Sequence, residues 1–560
     1  MASLFSVEAL HQALSTDIPR LILSSAVLGG LSHVSIFRSL PVEEHLYPLL
    51  AFYAAAAVAV AIAYLSITEN SPAQALFRLG CITSAFNTGL ASSIAIYRLF
   101  FHRLHRFPGP WLSKVSRFYD AYLAGKDVQY NVEIARMHQE YGDFIRTGPR
   151  EICIVRKSAV PLLLSPQSKC GKSTFYAQAQ AESKYCSVHH TRDFDDHRRR
   201  RKAWDRGFSI KALAGYEPNI TTKVDLLISH IEKAQDAIDA TSWSMFLSFD
   251  IMGNVGFGKE FNNLSTGVEH PGIKAVHDHM AILGTMGHVP WLLNIISHLP
   301  GATSAMAEFF KWCEDEVVQK HQVYINEHPR DVVSWLLTAY VEKDISAAPT
   351  ANALHEDSRA VLVAGSETTA TTLASILYYL CKNPKTLSKL QRLLDEAMPG
   401  GSTEWAYEKI KNISYLEDII NETLRLRPAV LTGGYRVTPP EGMQVDEVYI
   451  PGDVNVFVPT QLTQTDERYY TDAKSFVPER WTEDREMIQE EAPYFPFLYG
   501  PYICPGKHLA LMSLRISVSK LAQRYNISFA QGETGELFET KTLDTFTTTL
   551  PPLHVQFSPR

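Results

Sequence analysis

The sequence predicts a mainly α-helical protein with small β-sheets, preceded by helices that cross a membrane. Uncharged apolar stretches occupy much of the first hundred residues, and helical patterns fill most of the remaining chain. Short β-branched stretches separated by turns indicate a few small sheets. With 560 residues, of which 46% are hydrophobic, the chain is long enough for one large domain or several ordinary ones.

Residues 46–67 carry no charge and are long enough to cross a hydrocarbon core, which takes roughly 20 apolar residues. Residues 79–97 and 21–37 are weaker candidates, so we expect two or three spans, with buried core helices as the alternative. The apolar stretches repeat and no basic segment opens the chain, which argues against a cleavable signal peptide. Basic residues follow the last span, and by the positive-inside tendency the rest of the chain faces the cytosol. They are Arg98, Arg103, Arg106, Lys114 and Arg117.

The sequence Phe107-Pro-Gly-Pro110 stops a helix and stiffens a linker, so we place a domain boundary there. Residues 1–106 are predicted to be a membrane anchor and residues 107–560 a separate catalytic domain. Within that domain we predict several helices and strands. The helices are 127–141, 197–208, 351–381, 415–427 and one starting at Lys507; the strands are a hairpin at 144–148 and 151–155, short strands in 445–458 with a turn at Pro451-Gly452, and a final hairpin within 546–557.

Charge and cysteine content exclude some classes of protein. The net charge of −7 gives no electrostatic support for nucleic-acid binding. The basic run at 198–202 is typical of a solvated helix face. Seven cysteines without a C-x-x-C pair suggest neither a disulfide framework nor a zinc site, and they fit a reducing, cytosolic environment.

Cys504 lies in a loop directly before a predicted helix, and Pro505 suits the first helical position. A helix N-terminus favours an anion and lowers the pKa of a thiol, so this thiolate would suit a soft metal. Gly500 and Gly506 would let the backbone approach a large, flat group. The alternative is a buried structural cysteine, which is the usual case for a lone cysteine.

Two further motifs carry polar groups into apolar surroundings. The predicted helix 351–381 contains Ala364-Gly-Ser-Glu-Thr-Thr369, in which hydroxyls can bond the carbonyl one turn back and Glu367 needs a partner. This pattern predicts either a packing kink or a hydroxyl and a carboxylate beside a bound small molecule. Glu422 and Arg425 stand three apart on one helix and can pair, and Arg480 could join them.

Together these motifs resemble the cytochrome P450 family from Phe107 to the C-terminus. The cysteine loop is similar to the family's haem signature, Phe-x-x-Gly-x-Arg-x-Cys-x-Gly. It departs at Tyr502, where the family usually has Arg or His. The matching residues are Phe497, Gly500, Cys504 and Gly506 in that signature; Ala364, Gly365, Glu367, Thr368 and Thr369 in the central helix; Glu422 with Arg425; Pro478, Glu479 and Arg480; and, loosely, His197 and Arg201.

The resemblance implies haem b as cofactor, with the Cys504 thiolate as the axial ligand of the iron and Phe497 beside the sulfur. It implies that Thr368, with Glu367, steers protons and water. A structural network would comprise Glu422, Arg425 and Arg480, and the candidate contacts of the haem propionates are His197, Arg201, Arg436 and Tyr502. Tyrosine offers a hydroxyl but no positive charge, so we expect altered propionate pairing with haem binding retained.

The implied activity is insertion of one oxygen atom from O2 into a lipophilic small molecule. Electrons would come from NADPH through a membrane-bound NADPH–cytochrome P450 reductase, since no flavin or nicotinamide segment is recognised in this chain. The resemblance to fungal members of secondary metabolism implies a polyketide, terpenoid or alkaloid substrate and a multi-pass protein of the endoplasmic reticulum with a cytosolic catalytic domain. Candidate substrate contacts are residues 165–195, Ala364, 430–434 and 546–548. The apolar region 280–291 could line a pocket or pack in a core, and core is the expectation.

Three alternatives remain at this point. A haem-thiolate enzyme could catalyse oxidative cyclisation, desaturation or rearrangement. A haem-binding protein without turnover is encouraged only by Tyr502. A multi-span transporter or receptor would need spans after residue 101, and the sequence has no other uncharged stretch of sufficient length.

Overall fold

Helices form most of the described chain, which in this computed structural model comprises residues 11–12, 14–38, 45–68, 71–177, 182–234, 236–297, 304–323 and 329–560. The chain divides into two compact units. The first contains the described residues up to Arg117 together with Arg146–Pro149, and the second contains Phe118–Ile145 and the described residues from Arg150 onward.

The first unit consists of long apolar helices. They are Ile18–Ser32, which continues as a π-helical turn His33–Phe37; Leu46–Ser66; Pro72–Ile96, which continues as Tyr97–Phe101; and the short Trp111–Val115. A Cβ at Gly29 would lie 2.1 Å from the Phe86 carbonyl oxygen, and one at Gly89 would lie 2.0 Å from that of Ala26. Glycines therefore let two of these helices pack backbone against backbone, as is common between membrane helices.

Three helices of the first unit are long and apolar enough to cross a membrane: Ile18–Phe37, Leu46–Ser66 and Pro72–Phe101. They contain the three predicted stretches. The third begins seven residues earlier than predicted because Ser71 and Gln74 form a capping box ahead of it. In the second unit, the helix Ala351–Lys382 also has the required length and hydropathy. However, 72% of its apolar 18-residue stretch is buried inside the protein, and the helix carries Glu356, Asp357 and Arg359.

The helices of the second unit include Ala351–Lys382, here called the motif helix, and Lys507–Arg524, here called the cysteine helix. The motif helix begins where the Thr350 hydroxyl accepts from the Ala353 amide and ends before Asn383-Pro384. The other α-helices are Arg117–Asp127, Tyr130–Tyr141, Ala159–Leu164, Phe194–Gly207, Ile210–Lys233, Ala240–Ile251, Asn263–Thr266, Pro271–Met286, Pro290–Ser297, Ser304–Gln322, Val332–Val341, Pro384–Ala397, Tyr407–Ile410, Ser414–Leu426, Thr460–Gln464 and Glu536–Thr540.

Short strands form four small sheets among the described residues. One sheet has five strands in the order Phe144–Gly148, Glu151–Ile154, Asn455–Phe457, Arg436–Val437 and Gly171–Lys172. Another has three, in the order Ile238–Asp239, His554–Pro559 and Tyr525–Phe529. Two hairpins complete the set: Met443–Val445 with Val448–Ile450, and Leu543–Thr545 with Thr547–Thr549, here called the terminal hairpin. A mainly helical fold with small sheets is therefore confirmed.

Two local predictions were wrong, and one helix boundary differs. The predicted helix 127–141 forms as Tyr130–Tyr141 and starts three residues later, because Val128 has a positive φ of 52°. The strand His554–Pro559 does not pair with residues 546–549 but with Tyr525–Phe529, so the final hairpin was assigned the wrong partner. The basic run is not uniformly solvated, since Arg200 is 1% exposed and pairs with Asp357 at 2.7 Å.

Candidate active site

A cavity of about 840 Å³ lies within the second unit, between the motif helix, the cysteine loop and the terminal hairpin. This volume is in the range of sites that enclose a cofactor or a drug-sized ligand. Its walls are mostly apolar. The residues that line it at the cysteine end include Phe497, Tyr502, Cys504, Trp204, His197, Arg201, Arg436 and Lys172.

The cysteine loop holds Cys504 at the cavity wall just before the cysteine helix. The Cys504 amide donates to the Phe497 carbonyl oxygen at 2.9 Å, which folds the loop back on itself. Gly500 has a φ of +61°, and a Cβ there would lie 2.4 Å from the Leu164 carbonyl oxygen. Gly500 is therefore required by packing within the chain, and its predicted approach to a flat group stays a prediction. At Gly506 a Cβ would meet only ordinary contacts, 3.9 Å from Cys504 Sγ.

Burial raises the pKa of the Cys504 thiol, although the amides of Gly506 and Lys507 and the charge of Arg201 act in the opposite direction. The predicted lowering of this pKa is thus wrong for the chain alone, because desolvation outweighs the helix N-terminus. A metal ion overturns this balance, since a coordinating thiol is deprotonated outright. The position consequently suits a metal ligand better than an independently reactive thiolate.

Behind the site, Glu422, Arg425 and Arg480 form one fully buried ionic network. Arg425 donates to both carboxylate oxygens of Glu422 at 2.8 Å, and Arg480 Nε donates to one of them at 3.0 Å. The indole of Trp481 donates to the same carboxylate at 3.1 Å. The remaining arginine N–H groups donate to backbone carbonyls of Gln464, Thr471, Asp472, Ala473 and Ser475. None of the three side chains lines the cavity.

The motif helix presents hydroxyls to the cavity but turns its carboxylate elsewhere. Thr368 lines the cavity and donates to the Ala364 carbonyl oxygen at 2.7 Å, one turn back. Glu367 does not line it: one oxygen accepts from the Thr547 hydroxyl at 2.5 Å, and the other has no partner among the described residues. Burial raises the pKa of Glu367 to about 8, so this carboxyl is protonated at neutral pH. Of the hydroxyl and the carboxylate that were predicted to lie beside a bound molecule, only the Thr368 hydroxyl faces the cavity.

Several buried polar atoms at the cysteine end lack a hydrogen-bond partner among the described residues. They are Nδ1 of His197, Nε and Nη2 of Arg436 and the hydroxyl of Tyr502. Arg201 differs, since it donates to the Ile503 carbonyl oxygen at 2.5 Å and to Asp205 at 2.7 Å. Burial lowers the pKa of His197 to about 3, which leaves it neutral. Buried donors without partners normally indicate a missing acceptor, and the carboxylates of a haem would fit this donor set.

The rest of the cavity wall comes partly from predicted substrate contacts. Of these, Ala364, Val430, Gly433, Gly434, Phe546 and Thr547 line the cavity, whereas Leu431, Thr432 and Thr548 do not. The segment 165–195 also contributes, for example through Phe175 and His189; its residues 178–181 lie outside the described part. Phe546 has a φ of +80° at the tip of the terminal hairpin and stacks on Phe175 at 5.4 Å.

Some cavity residues were not singled out from the sequence. Met280, Ile282, Leu283 and Met286 line the cavity, while Met280 and Val289 are also buried among core residues, so residues 280–291 contain both cavity and core positions. An apolar helical pattern does not distinguish a core wall from a cavity wall. Lys172 lies within the predicted contact segment 165–195 but was not singled out, because that segment has no periodicity.

Comparisons with known proteins identify the family. A family model described as Cytochrome P450 matches residues 112–557. The cytochrome P450 monooxygenase FCK2 of Fusarium pseudograminearum is 36% identical over 541 residues, covering 95% of this chain and 97% of the relative. The tryprostatin B 6-hydroxylase of Aspergillus fumigatus is 30% identical over 525 residues, covering 91% of each chain.

A solved structure shows the same fold. The haem domain of cytochrome P450DA superposes with a TM-score of 0.66 at 17% identity, covering 81% of this chain and 98% of that domain. The sequence match over most of the chain, the superposition and the cavity-facing cysteine agree with one another. The chain therefore belongs to the cytochrome P450 family, whose members bind haem, and it is a monooxygenase of that family.

Proposed function

We propose that this protein binds haem b through Cys504 and inserts one oxygen atom from O2 into a lipophilic small molecule by hydroxylation or epoxidation. The observation that carries the proposal is the position of Cys504, at a helix start, in the wall of a large apolar cavity that also collects unpartnered buried donors. When bound, the haem supplies the activation of dioxygen.

The residues around the cavity would divide the remaining tasks. Cys504 would hold the iron, with Phe497 beside the sulfur, and His197, Arg201, Arg436 and Tyr502 would hold the haem carboxylates. Thr368 is the hydroxyl that can pass a proton within the cavity, since it lies in the wall and already donates to a carbonyl. Glu367 would act through Thr547, which does line the cavity. The network of Glu422, Arg425 and Arg480 supports this side of the protein structurally.

The lipophilic character of the substrate is supported by the apolar wall contributed by Met280, Ile282, Leu283 and Met286. Such a wall excludes water and offers few polar groups to orient a ligand. The fungal relatives include a tryprostatin B 6-hydroxylase, which favours a role in fungal secondary metabolism with a polyketide, terpenoid or alkaloid as substrate.

The supply of electrons and the cellular location follow from the same proposal. Electrons would come from NADPH through a membrane-bound NADPH–cytochrome P450 reductase. Residues 1–106 would anchor the protein in the endoplasmic reticulum as a multi-pass segment, with residues 107–560 as the cytosolic catalytic domain. The three long apolar helices of the first unit and the basic residues after them support this arrangement.

The first test is Cys504→Ala in the full-length protein. We expect loss of the red-shifted Soret band of the reduced, CO-bound protein, because no other cysteine at a helix start lines the described cavity. Cys381→Ala, which alters a cysteine outside the cavity, should keep the band. A retained band in Cys504→Ala would refute the assignment of the ligand.

The second test addresses the reaction. Membranes containing the protein and a reductase are incubated with candidate lipophilic metabolites under labelled O2, and products are analysed by mass spectrometry. One labelled oxygen atom per product supports insertion. A product without the label would instead indicate oxidative cyclisation or desaturation, and no turnover of O2 at all would favour a haem-binding protein without catalysis.

A third test addresses Thr368. In Thr368→Ala the cavity loses this hydroxyl, so we expect oxygen consumption that is no longer matched by product, with the coupled fraction falling several-fold. Thr368→Ser keeps the hydroxyl and should remain close to the wild type. Unchanged coupling in Thr368→Ala would count against proton delivery through this residue.

A further inference from the structure

Two cations face each other across a pair of short strands at the cysteine end of the cavity. Gly171–Lys172 and Arg436–Val437 pair in antiparallel fashion, and Lys172 is the direct cross-strand partner of Arg436. Both side chains are buried, at 5% and 1% exposure, and both line the cavity. Like charges directly opposite each other destabilise a sheet, and burial makes the repulsion more costly.

No described carboxylate lies within ion-pair distance of either cation, although the charge of Asp357 acts on Lys172 from farther away. Neither Lys172 nor Arg436 makes an ion pair with any described residue, whereas the neighbouring Arg200 pairs with Asp196 and Asp357. Arg436 leaves Nε and Nη2 without a partner. Two buried cations beside a cavity, neither with an ion-pair partner among the described residues, indicate that an anion binds there.

The position of the Lys172 ammonium is fixed by its own surroundings. Its Nζ donates to the carbonyl oxygens of Val188 at 3.0 Å and His189 at 2.6 Å. An ammonium has three N–H groups, so one remains for another acceptor. The backbone of 188–189 thus holds the charge at the cavity wall.

Both cations lie close to the ring of Tyr502, the residue at which the sequence departs from the family signature. The Lys172 Nζ lies 5.0 Å from the centroid of the Tyr502 ring, and the Arg436 guanidinium carbon lies 4.7 Å from it. The ring occupies the position where the family usually carries a cation, and its hydroxyl has no partner among the described residues. A positive charge missing at position 502 is therefore present on Lys172, over the same ring.

We propose that Lys172 and Arg436 form a two-cation site for the haem carboxylates, in which Lys172 replaces the charge that the family signature places at position 502. The proposal rests on the haem binding proposed above. Tyr502 would act as the aromatic surface against which both cations are placed, with its hydroxyl as an additional donor.

The test compares Lys172→Gln, Lys172→Arg, Tyr502→Arg and the double variant Tyr502→Arg/Lys172→Gln in the full-length haem-bound protein. Glutamine can still donate to the two carbonyls but carries no charge, so it separates the charge from the local structure. The readouts are the rate of haem transfer to an excess of apomyoglobin and the reduction potential. Lys169→Gln, an exposed lysine three residues upstream that pairs with Glu441, is the matched control.

We expect Lys172→Gln to lose haem roughly ten-fold faster, as for loss of one charge-assisted hydrogen bond, and to shift to a more negative potential. Lys172→Arg and the control should resemble the wild type. The double variant should recover most of the haem retention, because Arg at position 502 restores the missing charge.

Two outcomes would overturn the inference: a haem-transfer rate in Lys172→Gln equal to that of the wild type, or a double variant that loses haem as fast as the single one. If neither the single nor the double variant accumulates with haem, the inference also fails, because restoring the charge does not compensate. A wild type without the thiolate-type Soret band would instead overturn the proposed function itself, so the two failures are distinguishable.

Discussion

Two buried charged clusters lie in the second unit and differ in how completely the chain satisfies them. In the network of Glu422, Arg425 and Arg480, one carboxylate receives N–H groups from both arginines, and backbone carbonyls accept others. In the cluster of Lys172 and Arg436, no described carboxylate is present and two arginine nitrogens have no partner.

This difference separates a structural role from a binding role. A buried ion pair that is fully hydrogen-bonded contributes to the folded chain, and removing one member leaves an uncompensated charge. A buried cluster of one sign is unfavourable in the chain alone and becomes favourable only with a ligand of the opposite sign. The completeness of hydrogen bonding therefore indicates which of two similar clusters faces a ligand.

The largest change in stability is expected from a substitution that breaks the network of Glu422, Arg425 and Arg480. Arg425→Met removes a guanidinium that donates to Glu422 and to the carbonyls of Gln464 and Ala473. We expect the free energy of unfolding to fall by about 3–5 kcal/mol, since Glu422 stays buried with one cation fewer. Urea unfolding of the full-length chain in detergent, followed by circular dichroism, measures the change.

The matched variant is Arg436→Met in the incomplete cluster. Among the described residues, the Arg436 side chain makes one hydrogen bond, from Nη1 to the carbonyl oxygen of its neighbour Tyr435, and its charge repels Lys172. We therefore expect the free energy of unfolding of the haem-free chain to change by less than about 1 kcal/mol. Equal losses in Arg425→Met and Arg436→Met would show that the distinction between the clusters does not hold.

Glu367 extends the comparison of the two clusters, because it is a buried carboxyl group without a cation beside it among the described residues. Its pKa in the folded chain is about 8, raised by burial from the usual 4.5. Between these values the unfolded chain has released the proton and the folded chain keeps it, so stability is full below pH 4.5 and decreases as pH rises toward 8. Glu367→Gln should lack this decrease.

The expected difference in the free energy of unfolding between wild type and Glu367→Gln grows by about 3–4 kcal/mol from pH 5 to pH 8. Urea unfolding of both proteins at four pH values measures it. Thr547→Val, which removes the hydroxyl donor to Glu367, should preserve the pH dependence or steepen it. Parallel curves for wild type and Glu367→Gln would show that Glu367 is ionised in the folded chain.

The features that could be predicted from the sequence depend on residues that are close together in the chain. Glu422 and Arg425 lie three residues apart on one helix, Cys504 lies before a helix start, and Thr368 bonds the carbonyl one turn back; each relation is contained in a few consecutive residues. The membrane-spanning candidates were visible for the same reason, since a hydropathy pattern is local.

Relations between distant segments could not be predicted in this way. The role proposed for Lys172 depends on its pairing with Arg436, which is distant in sequence. The strand of Lys172 has only two residues, too few to show an alternating pattern. The direction of Glu367 depends on Thr547 in the terminal hairpin. The partner of His554–Pro559 is a strand that follows the cysteine helix, which turn signals near the C-terminus do not reveal.

The smallest expected effect is at Arg198, at the exposed side of the basic run. Arg198 is 70% exposed and pairs, among the described residues, with Asp195, which is 83% exposed, whereas Arg200 is 1% exposed and bonds Asp357 and the Cys186 carbonyl oxygen. Arg198→Ala should change the free energy of unfolding by less than about 0.5 kcal/mol, because solvent and salt screen an exposed pair. Arg200→Met, which leaves Asp357 buried without its arginine, should cost several times more, as about 3–5 kcal/mol is typical for breaking a buried pair. Urea unfolding of both variants measures the contrast, and similar losses would mean that the two positions are equally solvated, as a sequence of adjacent arginines alone suggests.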